Sequence, residues 1–110
     1  MKYPGGQDTR RGSEVSEVES ILTTQMELLP AAHRTALERA LIVPRKVSVR
    51  GKSGGFVVAV AAFGERLLYW SDVEEGWELE QPDARGCIAQ RGCNQFDLHH
   101  LLYQVLGPPT

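Results

Sequence analysis

The run Phe56-Val57-Val58-Ala59-Val60-Ala61-Ala62-Phe63 contains no polar side chain. It is too short to span a membrane, which takes about 20 apolar residues in a helix. Its length and its valines favour a strand. A strand that is apolar on both faces must be covered on both, so it belongs inside a sheet. Gly64-Glu65 then offers a tight turn, because glycine tolerates positive φ. Arg66 to Asp72 is the predicted return strand, with Leu68 and Trp70 on one face and Leu67 and Tyr69 on the other. Asp72-Val73-Glu74-Glu75-Gly76 is a second turn. In Trp77-Glu78-Leu79-Glu80 the alternation directs Trp77 and Leu79 inward and both glutamates to solvent. Pro82 cannot donate to a ladder and stops the pairing.

The rest of the chain frames this meander. Residues 1–12 carry Pro4 and few apolar groups and read as a tail. Ser13 or Ser16 is placed to cap a helix, and Ser16-x-x-Glu19 matches a capping box. Val15, Val18, Ile21, Leu22 and Leu29 recur at helical spacing. Pro30 interrupts this helix but can open another over Ala31 to Leu41, with Leu37, Ala40 and Leu41 buried. One kinked helix and two helices fit the pattern equally. Pro44 should end the helical region, and Arg45 to Arg50 alternates as an edge strand would. Gly51-Lys52-Ser53-Gly54-Gly55 joins it to the meander. Cys87-Ile88-Ala89-Gln90 suits a short strand. Asn94 is the expected cap of a last helix with Asp97 in its third position, an apolar face of Leu98, Leu101, Leu102 and Val105, and Gly107 as C-cap.

The expected fold is therefore α+β. A helix or helical hairpin precedes an antiparallel sheet of four to five strands, a helix follows, and the helices pack on one face of the sheet. Residues 13–107 make one domain, followed by a short tail at 108–110. At 110 residues such a domain buries roughly two-thirds of its unfolded surface, enough to fold without a metal or disulfide.

Net charge is −2 with no basic block, so nucleic-acid binding lacks an electrostatic footprint. No apolar segment reads as a signal or a span, which makes the cytoplasm the expected compartment. There Cys87 and Cys93 should stay reduced. Gly51-Lys52-Ser53 resembles a phosphate loop only superficially: the earlier glycine is missing and a strand follows instead of a helix. No dinucleotide, nucleophile-elbow or zincin pattern occurs. Cys93, ahead of a helix and near His99 and His100, is the one candidate thiol nucleophile, and one helix end is not an assembled active site. The expectation is a protein that is not an enzyme and carries no cofactor.

Two non-catalytic readings remain. Asp72, Glu74, Glu75, Glu78 and Glu80 cluster around the second turn beside Trp77, and with Glu14, Glu17 and Glu19 they suggest an acidic, aromatic surface, with Asp72, Glu74, Glu75, Trp77 and Glu78 as the residues expected to meet a partner. Acidic runs commonly serve only to hold water. The sharper reading is a docking surface for another protein with a basic face, as immunity proteins and small regulators use. The alternative is a metal site. Cys87, Cys93, His99 and His100 are soft ligands, but their C-x5-C-x5-H-H spacing lacks the close cysteine pair of structural zinc sites, and consecutive helical residues point about 100° apart.

An acidic N-terminal helix, an antiparallel sheet bearing tryptophan, and a C-terminal helix containing Asp97-Leu98-His99-His100-Leu101-Leu102 together are loosely similar to the frataxin-like layout over residues 13–106. That resemblance implies iron binding, or regulation of an assembly, through acidic residues.

Overall fold

In the computed structural model the described residues are 15–50, 55–71, 75–89 and 96–109. The predicted tail and Ser13, residues 51–54 of the glycine loop, Asp72 and Glu74 of the second turn, and Cys93 and Asn94 lie outside them. The elements run α1 (Val15–Met26), α2 (Ala31–Ala40), β1 (Leu41–Ser48), β2 (Phe56–Phe63), β3 (Arg66–Ser71), β4 (Gly76–Glu80) and α3 (Leu98–Leu106). The strands form an antiparallel meander in the order β1-β2-β3-β4. This is the expected α+β arrangement, with the helices N- and C-terminal to the sheet.

The all-apolar run is an inner strand because it is covered twice. On one face Val58, Val60 and Ala61 meet Val18 and Leu22 of α1, Leu37 of α2, and Leu98, Leu101 and Leu102 of α3. On the other, Val57 and Ala59 join Val47, Val49, Leu67, Tyr69 and Ile88. Every helical core residue falls in the first cluster, so the helices occupy one face. A bulge between Ala59 and Ala61, opposite Tyr69 and Leu68, adds one residue and brings both Val60 and Ala61 to the helix side. Each fully buried leucine of α3 contributes about 1.5–3 kcal/mol relative to exposure.

Local details differ from the sequence reading in ways that chemistry explains. The helical region is two separate helices: Pro30 (φ −56°, ψ 149°) stands just before α2 rather than inside it. Leu41 is not a buried helical residue. It opens β1 in an extended conformation (ψ 141°) and is 40 % exposed. The β-branched Ile42-Val43 pair prefers a strand, and the residue before a proline is pushed out of the helical region. Pro44 is thus inside β1, at an irregularity of register between Leu41 and Arg45 on an edge strand, where proline is tolerated. Ser16 lies within α1 and is not its cap. The cap of α3 is Asp97, whose Oδ1 accepts the His100 N–H at 2.9 Å; Asn94 is not needed for that role. Gly107 ends α3 as expected, at φ 79° and with its N–H donating to the Tyr103 carbonyl. The expected fifth strand is reduced to one parallel bridge, between Ile88 and Val49.

Two side chains, Gln25 and His33, fasten the helices through hydrogen bonds. Gln25 Oε1 of α1 accepts from Trp77 Nε1 at 3.2 Å and from the Leu98 N–H at 2.9 Å, which ties α1, β4 and the start of α3 together. His33, buried in α2, uses Nε2 to donate to the Gly107 carbonyl at 2.8 Å. That bond requires the Nε2–H tautomer and leaves Nδ1 buried without a partner.

Candidate functional site

The end of the sheet between β3 and β4 holds the residues that the sequence singled out for docking. Trp70 and Trp77 are directly cross-strand, with ring centroids 5.2 Å apart and planes at 69°, an edge-to-face pair. Trp77 is fully buried and Trp70 half-buried. The Gln25 bond fixes the Trp77 indole, so the pair is a rigid base. Directly after the turn, Glu75 is exposed and sits at φ 56°. It is the sole non-glycine residue at positive φ among the described residues. Left-handed backbone costs a side chain with a Cβ about 1–2 kcal/mol.

Two members of the expected surface are withdrawn from it. Trp77 is core. Glu78 is only 5 % exposed, whereas the alternation placed it in solvent. The reason is the second apolar cluster. Glu78 pairs across the strands with buried Tyr69 on the face away from the helices, and that face is covered, not wet. Of the five residues expected to meet a partner, Glu75 is the exposed one among those described; Asp72 and Glu74 lie outside the described residues.

Beside Glu78, Glu80 accepts a hydrogen bond from the Tyr69 hydroxyl at 3.2 Å. Burial raises the Glu80 carboxyl above its ordinary value, the Tyr69 bond opposes the shift, and the Glu78 charge adds to it. Asp83 behaves in the opposite way. The Cys87 N–H, donated to its Oδ1, holds it below its ordinary value; partial desolvation works against that, and the Arg85 N–H and the Arg50 ion pair at 2.9 Å reinforce it. These bonds build the 83–87 turn, which presents Ile88 to β1.

Of the soft-ligand set, Cys93 lies outside the described residues, and Cys87, His99 and His100 form no metal-holding group. Cys87 is half-buried in that turn, while His99 and His100 are exposed on α3 with ring centroids 6.0 Å apart. His100 Nδ1 lies 3.3 Å from Asp97 and His99 packs against Tyr103. Among the described residues no group of three His, Cys, Asp or Glu side chains is placed to hold a metal ion. No described helix is long and apolar enough to cross a membrane.

Comparison with protein families, characterised proteins and solved structures finds no match.

Sequence reasoning missed Gln25 and His33. A glutamine and a histidine on amphipathic helices look like surface residues until their partners, 52, 73 and 74 positions away, are known. A signal for Glu75 did exist. A turn that ends Glu-Glu-Gly needs a positive φ somewhere, and glycine was the obvious bearer.

Proposed function

We propose that this protein acts by docking on another protein through the turn between β3 and β4, without catalysing a reaction. The observation that supports this reading is Glu75: an exposed carboxylate in left-handed backbone, standing on a rigid tryptophan pair. Backbone strain of this kind persists where surrounding structure over-determines it, and it clusters at sites of function. Loops on rigid scaffolds are common binding elements. Asp72 and Glu74 are its sequence neighbours, so the turn would offer three carboxylates to a basic partner face. The half-buried Trp70 lies at the base of the same turn.

Affinity capture from the native host supplies the partner, and association rates at low and high salt then test the turn. Glu74→Lys with Glu75→Lys should leave the melting curve in place, slow association, and remove its salt dependence, because rim charges act mainly on the on-rate. Equal rates and equal salt slopes for both proteins would return the turn to a solvated loop.

A further inference from the structure

A cleft of about 290 Å³ lies between α1 and α2, lined by Thr23, Met26, Glu27, Arg34 and Glu38. Helical spacing gathers these residues. Thr23, Met26 and Glu27 stand at i, i+3 and i+4, with the Glu27 N–H still donating to the Thr23 carbonyl. Arg34 and Glu38 stand at i and i+4 on α2. Thr23, Glu27 and Glu38 are exposed, while Met26 and Arg34 are half-buried.

An arginine and a glutamate four apart on a helix are near enough to pair. Here they do not. Arg34 turns toward the α1–α2 connection, where Nη2 donates to the Leu29 carbonyl at 3.2 Å. No ion pair among the described residues joins it to Glu27 or Glu38. Its Nε is buried without an acceptor. A charged group with a stranded buried donor is costly, and an anion that draws the guanidinium into the cleft would relieve that cost. Three charged side chains thus line one small cleft, one positive and two negative, without satisfying one another.

Only a ligand bearing both charges uses all three. A plain anion would face two carboxylates and a plain cation the guanidinium, and like charges brought together are penalised. A carboxylate is the planar acceptor that a guanidinium suits, an ammonium suits the glutamates, and the Met26 thioether offers an adaptable apolar wall. Small-molecule sites span about 300–1,000 Å³, so a cleft at the lower bound takes a small ligand.

We propose that the α1–α2 cleft binds a free α-amino acid with an apolar side chain, its carboxylate on Arg34 and its ammonium on Glu27 and Glu38. The site shares no residue with the β3–β4 turn and does not depend on docking there.

Titration of the full chain with each common amino acid, followed by backbone NMR shifts, tests this. Saturable binding of at least one apolar amino acid, tighter than about 10 mM, is expected, with the shifts concentrated at residues 23–38. The amine that lacks the carboxylate and the N-acetyl derivative that lacks the ammonium should each bind about tenfold more weakly, the scale of one hydrogen bond to a charged group. Glu27→Gln with Glu38→Gln, at exposed positions, should weaken binding to a similar extent and leave the melting curve in place. Arg34→Gln should weaken binding of the amino acid but not of the amine; where that variant fails to fold, the glutamine pair decides. Glu75→Lys should bind the amino acid as the parent does, so failure here leaves the docking reading standing. Absence of saturable binding, equal binding of the amine or the N-acetyl derivative, or parent affinity in the glutamine pair overturns the proposal.

Discussion

A glutamate at φ 56° carries a cost that glycine would not, because the Cβ crowds the following carbonyl. Glu75→Gly should therefore raise stability by about 0.5–1 kcal/mol in thermal melts, after the larger unfolded-state entropy of glycine is set against the relieved strain. A lower melting temperature would show that the side chain, not the strain, governs the turn. Glu80 makes a second residue-scale case. Its carboxyl is raised above the ordinary 4.5, so the folded state favours the protonated form. The stabilisation from that proton is fully present below about pH 4.5 and is lost as pH rises through the shifted value. Glu80→Gln keeps an acceptor for Tyr69 and removes the charge beside Glu78. The variant should melt higher than the parent at pH 7, and the gap should close by pH 4. Asp83, lowered from 3.8, contributes with the opposite sign: its stabilisation is present above pH 3.8 and is lost as pH falls. Both proteins share that term, so the difference between them isolates Glu80. A constant gap across the range would rule out titration as its source. Neither the strain nor the burial of Glu78 is legible in the local pattern, since Trp77-Glu78-Leu79-Glu80 alternates as any half-wet strand does. The residues that share the second face with Tyr69, beside Glu78, are Ile88, Val47 and Val49, which are distant in sequence.

At the scale of elements, period and length carried most of the information. The apolar octet, the alternating return strand and the i, i+3, i+4, i+7 face of α3 each have one physical solution, and the structure adopts it. Boundaries around prolines did not read as cleanly. Pro44 stops a helix, but its ring is equally at home at an irregular edge, and only the β2 partner decides. Gln25 shows how an element docks through a single polar atom. Gln25→Leu leaves the Trp77 indole N–H and the Leu98 N–H without an acceptor in a largely enclosed site. The loss should be about 2–4 kcal/mol in urea melts, the penalty for two stranded donors. A loss below about 1 kcal/mol would mean that water replaces the glutamine oxygen.

At the scale of the whole molecule, the described residues put three helices on one face of the meander, while on the other Ile88 joins Val47, Val49, Val57, Ala59, Leu67 and Tyr69. The β1 edge carries Pro44 at an irregularity of register, with exposed Arg45 and Lys46 beside it, features that blunt an edge against pairing with another chain. Pro44→Thr keeps a β-branched-compatible site and returns a backbone donor to β1. The variant should fold with near-parent stability and self-associate at high concentration, read by light scattering on a sizing column; a monomer at all concentrations would show that Arg45 and Lys46 suffice to protect the edge. The long reach of the Gln25 and His33 bonds also has a consequence for synthesis. The four strands pair in chain order and can assemble as they emerge, with α1 and α2 already made to cover part of their helix-side face, but the part that Leu98, Leu101 and Leu102 cover, and the bonds from Gln25 to Leu98 and from His33 to Gly107, wait for the far end of the chain. A stalled or truncated product ending before Leu98 would therefore expose that part of the apolar face of a nearly finished sheet, the kind of surface that chaperones and proteases recognise.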